Sequence, residues 1–289
     1  MAPTPTACLD SVELHLPIEE EGTSAVDLLA EQSGLSKQKI KQAMQKGAVW
    51  LSRGNRTQHL RRAKTVLQTR DTLHLYYSAK VLAEEPPAPV AIASEGDYSI
   101  WYKPYGLRSQ GSKWGDHCTI NRWLERNLIP QRPAFIVHRL DRAASGLIII
   151  AHTKAMAAAF SRLFRERAMS KRYRVVVHGH FPPDDTATRL DSELDGKHAI
   201  SHARLLRYDE ERDRSLVDVD IETGRKHQIR RHLSMAGFPV VGDRLYGRDT
   251  DEENLQLSAV ELRFNCPAGG GERHYRLEPG MAARPIADL

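Results

Sequence analysis

A single carboxylate, Asp141, stands between Arg139 and Arg142 in Phe135-Ile-Val-His-Arg-Leu-Asp-Arg-Ala-Ala-Ser-Gly-Leu-Ile-Ile-Ile150, a basic turning segment set between apolar runs. Flanking cations keep such a carboxylate ionised at neutral pH, and an anion held in place suits nucleophilic attack or proton transfer. Ser145-Gly146 lets the chain turn before residues 147–150 enter a buried strand. Taken alone, Asp141 could equally cap a turn or pair with a neighbouring arginine. A kinase catalytic loop also carries His-Arg-Asp, but the chain has no glycine-rich phosphate loop and no Asp-Phe-Gly.

A second segment, Glu222-Thr-Gly-Arg-Lys-His-Gln-Ile-Arg-Arg-His-Leu-Ser-Met-Ala-Gly237, follows the strand-like alternation of residues 216–221. It reads as a helix with Thr223 or Gly224 as N-cap and Gly237 as its stop, burying Ile229, Leu233 and Ala236 on one stripe. His227, Arg230, Arg231 and Ser234 share the other face, from which cations can reach an anionic substrate or Asp141. An arginine face on a helix is more often solvated surface. In the third segment, Met169-Ser-Lys-Arg-Tyr-Arg-Val-Val-Val177, a basic run leads into a β-branched strand. Tyr173 can stack on a flipped base and assist proton removal, or be an ordinary strand tyrosine.

These segments together resemble the RluA-type pseudouridine synthases. Residues 138–146 match that family's His-Arg-Leu-Asp-x-x-Thr-Ser-Gly except at Ala144, where threonine is usual. Residues 223–230 match Thr-Gly-Arg-x-His-Gln-Ile-Arg, with Lys226 in place of the more usual threonine and Arg231, just beyond, in place of a more usual apolar residue. Lys103-Pro-Tyr-Gly106 resembles the family's Lys-Pro-x-Gly, and Val240-Val-Gly-Asp-Arg-Leu-Tyr-Gly247 its Gly-Asp-x-x-Tyr-Gly turn, whose glycines serve backbone geometry. The matches run in the family's order from about residue 97 to 265. The resemblance implies an isomerase that converts uridine to pseudouridine in ribosomal or transfer RNA, with no cofactor and no metal. It makes Asp141 the nucleophile, Arg230 its partner and Tyr173 the active-site tyrosine, and assigns His138, Arg139, Lys103, Arg225 and His227 to substrate binding. Arg139 is also a candidate to fill the space left by an extruded nucleotide.

The elements that must position these residues point to an α+β fold. Strand-like segments near Ile100, Ile148, Val176, Leu205, Val219 and Leu262 outnumber the helices, which implies a mixed, mainly antiparallel sheet with flanking helices over residues 96–289. A helix over 154–167, capped by Thr153, buries Met156, Phe160, Leu163 and Phe164. Ahead of it, residues 1–82 form a small α+β module. Between residues 22 and 77, its core, ten Lys or Arg face three acids, a net charge of +7 that suits RNA. Helices over 25–32 and 37–45, with Ser36 as N-cap and Gly47 as stop, are followed by strands around 48–51 and 72–77. The module resembles the RNA-binding domain first known from small-subunit ribosomal protein four. Residues 83–95 carry Pro86, Pro87 and Pro89 and read as a semi-rigid linker.

Over 289 residues the net charge is +5 and the pI about 9.1, which permits RNA binding without requiring it. Cys8, Cys118 and Cys266 are scattered and form no Cys-x-x-Cys pair, so neither a disulfide framework nor a zinc site is expected. No apolar window approaches a membrane span and the N-terminus has no signal core, so cytoplasmic residence is the default expectation; the sequence leaves the oligomeric state open, with monomer as the default. Two other functions fit parts of this pattern. One is an RNA-binding protein that has lost activity, which Ala144 makes conceivable. The other is a glycoside hydrolase pairing Asp141 with Asp220 or Glu222.

Overall fold

The computed structural model describes residues 10–183 and 187–278, so Cys8 lies outside the described residues. The chain divides into two compact units, Met1–Pro86 with Gln110–Trp123, and Pro87–Ser109 with Leu124–Leu289. Among the described residues no helix is long and apolar enough to cross a membrane.

The first unit contains β1 (Ser11–Pro17), α1 (Ala25–Ser33), α2 (Lys37–Gln45), β2 (Val49–Arg53), β3 (Arg56–His59), β4 (Thr72–Ser78) and α3 (Ala79–Ala83). Its strands form an antiparallel sheet in the order β1-β4-β2-β3. Side chains alternate along a strand, so Leu73 and Leu75 of β4 and Val49 and Leu51 of β2 share one face, packed with Leu29, Ile40 and Met44 of the helices. Each helix starts on a serine whose hydroxyl accepts a backbone N–H, Ser24 from Asp27 and Ser36 from Lys39. α1 runs one residue past its expected end, and β1 and β3 complete the sheet around the two expected strands.

The remaining elements are β5 (Val90–Ser94), β6 (Tyr98–Lys103), α4 (Ile120–Asn127), β7 (Phe135–Ile136), β8 (Ser145–Ala151), α5 (Lys154–Arg165), β9 (Met169–His178), β10 (Thr188–Leu194), β11 (Lys197–Asp209), β12 (Arg214–Ile221), α6 (Gln228–Met235), β13 (Leu257–Asn265) and β14 (Glu272–Arg276). All the strands join one sheet in the order β10-β11-β12-β9-β13-β8-β6-β5, with β14 on β13 and β7 on β8. Every pairing is antiparallel except β8 with β13, so the sheet is mixed and mainly antiparallel, as expected. The six anticipated strands are β6, β8, β9, β11, β12 and β13. Part of the proline-rich stretch is more than a spacer, since Val90–Ser94 forms β5 and pairs with β6.

α5 lays Met156 and Phe160, with Leu163 and Phe164 at the margin, against Tyr98, Ile100, Leu147, Ile149, Leu262 and Phe264. This is the core stripe read from the 3.6-residue period. It ends at Arg165, ahead of the expected 167, because Arg167 takes a left-handed backbone with φ 55°.

Gly146 opens the central contact. The parallel register pairs Ser145 with Ser258 and Gly146 with Ala259, and a Cβ on Gly146 would overlap the Ala259 backbone. Its φ of 113° also lies where side-chain-bearing residues are strained. Gly146→Ala is therefore expected to cost about 3 kcal/mol or more of stability, read as a lowered urea midpoint with unchanged slope.

Candidate active site

Asp141 lies in the bend that leads into β8, and its backbone carbonyl accepts the Ala144 N–H at 3.2 Å. That bond closes the turn without a side-chain hydroxyl, and Ala144 is itself buried. The loop is tied down at Leu140, where the Ser109 hydroxyl accepts from the backbone N–H at 3.0 Å and donates to the carbonyl at 2.8 Å.

Arg230 comes from α6, 89 residues later, and its Nη1 donates to Asp141 Oδ2 at 3.2 Å. The other edge of the same guanidinium donates Nε and Nη2 to the two oxygens of Asp243, at 2.7 and 2.6 Å. Side-chain exposure falls from 27% at Asp141 to 6% at Arg230 and 0% at Asp243. Burial would push the Asp243 carboxyl up, but Arg230 and the N–H groups of Leu245 and Tyr246 hold it below its ordinary value. Burial would likewise lower Arg230, and the two carboxylates reverse that and raise it. One fixed cation therefore stands between a sealed anion and an accessible one.

Tyr246 frames the cation. Arg230 Cζ lies 5.2 Å from the ring centroid of Tyr246, whose hydroxyl is 3.0 Å from His227 Nδ1. Ser234 donates to the Tyr246 carbonyl at 2.8 Å and fixes the turn to α6. His227 Nε2 is 3.9 Å from Asp141 Oδ2. Burial lowers the His227 pKa more than Asp141 raises it, so the imidazole is neutral at pH 7.

Tyr173 sits on β9 between Val219 of β12 and Ala259 of β13, almost wholly buried. Burial, and then the charge of Asp141, push its phenol above the usual value. It is therefore a neutral phenol within range of the carboxylate's charge.

Other residues read from the sequence sit elsewhere. α6 begins at Gln228, not after Thr223 or Gly224, and His227 is its N-cap in a left-handed conformation, φ 54°. Thr223 is spent otherwise, accepting the Ile200 N–H at 3.1 Å and donating to Gln228 Oε1 at 2.7 Å. Arg231 does not join Arg230 at the carboxylate but bonds to Asp195 at 3.0 Å, and Arg225 Nε donates to the His198 carbonyl at 3.1 Å. Lys103 is fully buried, with Nζ donating to the carbonyls of Leu107 at 2.8 Å and Pro104 at 3.1 Å, and burial lowers its pKa to about 7 against the pull of Asp141. Arg139 is exposed beside the loop. Asp220 is gripped by Arg172 through two 3.1 Å bonds, and Glu222 lies 2.7 Å from His202. Both carboxylates are thus committed to partners of their own, which argues against a hydrolase pair with Asp141. The acid that completes the site is Asp243, in the Gly-Asp-x-x-Tyr-Gly turn, to which the sequence reading gives only a role in backbone geometry.

The region 97–235 matches the family model described as RNA pseudouridylate synthase. The chain is 31% identical over 225 residues to an uncharacterized RNA pseudouridine synthase of Bacillus subtilis, a match spanning 66% of this chain and 72% of that protein. It is 33% identical over 158 residues to the dual-specificity RNA pseudouridine synthase RluA of Yersinia pestis, spanning 49% of this chain and 76% of that one. For some other relatives the match covers less than half of their length, 46% for an uncharacterized RNA pseudouridine synthase of Chloroflexus aurantiacus. Among solved structures, human RNA Pseudouridylate Synthase Domain Containing 1 shares the fold, with a TM-score of 0.58 at 22% identity over 71% of this chain and 90% of that one.

His138 differs in kind from the residues around it. Its Nε2 accepts the Ile149 N–H at 2.9 Å and its ring packs on Phe164, 4.8 Å between centroids. Burial, and then Lys171, lower its pKa to about 3, so the ring is a neutral brace between the Asp141 loop and β8. The unfolded chain takes up this proton near pH 6.5. The folded-state pKa is depressed, so the contribution is complete above about pH 6.5 and is lost as pH falls towards 3. The urea midpoint is expected to decline across that window, and less steeply in His138→Gln, which keeps an acceptor but does not titrate.

Proposed function

Because the chain belongs to the RluA-type family of RNA pseudouridine synthases, we propose that it isomerises specific uridines of ribosomal or transfer RNA, with Asp141 as the nucleophile. The observation that carries this is the single accessible carboxylate held at 3.2 Å by an arginine that a second, sealed carboxylate already orients. Nucleophilic chemistry needs an anion whose partner does not have to reorganise when the charge is consumed. Arg230 meets that need because two of its three nitrogens remain bonded to Asp243 whatever Asp141 does.

The reaction breaks the bond from ribose C1′ to uracil N1, turns the base and joins C1′ to C5. Attack of Asp141 on C1′ and addition to C6 of the ring both start from the same anion. The C5 proton leaves in the last stage, and no redox equivalent is exchanged. Tyr173 starts as a phenol, supporting the base with its ring. Consumption of the Asp141 charge in a covalent bond removes one of the two causes that hold the phenol's pKa up, so the phenol gives its own proton to water more readily after attack than before it, and the phenolate so formed can take the C5 proton.

The target nucleotide must leave its stack to meet Asp141. Exposed Arg139, two residues ahead in the same loop, is the side chain we assign to the vacated space. We assign the basic module of residues 22–77 to electrostatic docking of the RNA backbone, on its net charge of +7.

Treating unmodified cellular RNA with the wild-type chain or with Asp141→Asn and mapping pseudouridine at nucleotide resolution tests the reading. New sites with the wild type alone are expected, whereas RNA binding by both proteins with no conversion by either would favour the inactive RNA-binding alternative. Tyr173→Phe is expected to retain RNA affinity and lose about 100-fold or more in turnover. Release of label from RNA containing uridine tritiated at C5, measured under single-turnover conditions, checks this.

A further inference from the structure

The turn that carries Asp243 is held by a second buried pair, apart from the groups at the carboxylate. Asp251 Oδ2 lies 3.0 Å from His178 Nε2 at the end of β9, and it accepts the Gly242 backbone N–H at 2.7 Å. Both side chains are buried. One oxygen thus joins a sheet strand to the backbone N–H of the residue that immediately precedes Asp243. Burial would raise the Asp251 carboxyl, but the bonds from His178 and Gly242 hold it below its ordinary value, so it is an anion.

The same turn is clamped around this oxygen. Arg244 donates to the carbonyl of Asp251 and, at 3.3 Å each, to those of Glu252 and Glu253. Val241 N–H donates to the Val176 carbonyl at 3.0 Å, and His178 N–H to Pro239 at 3.0 Å. Gly242 has a φ of 75°, and a Cβ there would overlap the backbone of Asn254. The turn is therefore pressed between β9 on one side and residues 253–254 on the other.

We propose that His178 and Asp251 are positioning residues for the reaction: they fix the Gly242 peptide, which sets Asp243 against Arg230, which in turn presents Nη1 to Asp141. This inference rests on the reading of the site given above. Neither residue touches the reacting atoms. The two bonds between Asp243 and Arg230 are 2.7 and 2.6 Å, and hydrogen bonds weaken steeply as distance and angle depart from such values. Without His178, Asp251 is a buried anion short of a donor. It is then drawn towards water, and the Gly242 peptide loses its fixed acceptor.

His178 also lines an open cleft of about 620 Å³ together with Arg214, Arg248 and Thr250, so a small molecule can reach the space its ring occupies. That permits a test by replacement. In His178→Ala, kcat is expected to fall about tenfold, the scale of a small misplacement of reacting groups, with KM for substrate RNA changed less than about twofold. Added imidazole restores kcat in His178→Ala but not in Asp251→Ala, which lacks the acceptor. His178→Gln, which keeps a donor, stays within about threefold of wild type.

Full activity in His178→Ala, a change in KM alone, or losses that neither imidazole nor His178→Gln reverses would each overturn the assignment. The same assay on the wild type separates the two claims. A wild type that makes no pseudouridine removes the reading of the site itself. An active wild type with an unaffected His178→Ala removes the positioning claim alone.

Discussion

The bidentate bond between Arg230 and Asp243 is the constraint on which the site depends. A carboxylate with no exposed side-chain surface is costly unless its charge is met, and removing one member of such a pair costs about 3–5 kcal/mol. Asp243 meets the requirement with two guanidinium nitrogens and two backbone N–H groups, and in doing so it fixes the plane and the roll of Arg230. The third nitrogen is then aimed at Asp141 by geometry that Asp141 does not supply. The half-buried Asp141 can change its charge while the cation beside it stays in place. Organisation of this sort is established during folding and costs nothing at the moment of reaction.

The same economy explains which neighbours are polar. Tyr246 is held through its carbonyl by Ser234 and through its ring by Arg230, leaving its hydroxyl for His227. His227 occupies a left-handed backbone position uncommon for a residue with a side chain, at the start of the helix that carries Arg230. Lys103 and His138 lie behind the loop, each spent on backbone groups. Their charge states follow from burial, and they hold the loop's shape.

What the sequence disclosed was set by the range of the interactions. The pairing of Asp141 with Arg230, the α5 core stripe and the Ser24 and Ser36 caps depend on local pattern or on uncommon motifs, and these were legible. Asp243 was not, because nothing within a turn marked by glycine and tyrosine says that its acid faces inward beneath a helix. The start of α6 was misplaced because Thr223 satisfies the N-cap rule locally, whereas in the fold its hydroxyl is taken by Ile200 and Gln228. Arg225 and Arg231 match the charge of the site but bond outward, to His198 and Asp195. β3, with no apolar residue among Arg56–His59, owes its state to its ladder with β2. β1 was likewise not expected, although Val12, Leu14 and Leu16 alternate as a strand requires.

The parallel contact between β8 and β13 has a temporal consequence. Asp141 and β8 leave the ribosome long before β13, Arg230 and Asp243 exist, and a strand whose neighbour lies more than a hundred residues downstream waits with an open edge. Arg230 has no fixed direction until Asp243 has been synthesised, and the turn around Asp243 is not braced until Asp251 follows. A nascent chain thus carries Asp141 early and the residues that hold it late. The contact of Asp141 with Arg230 is complete only as the last strands close the sheet.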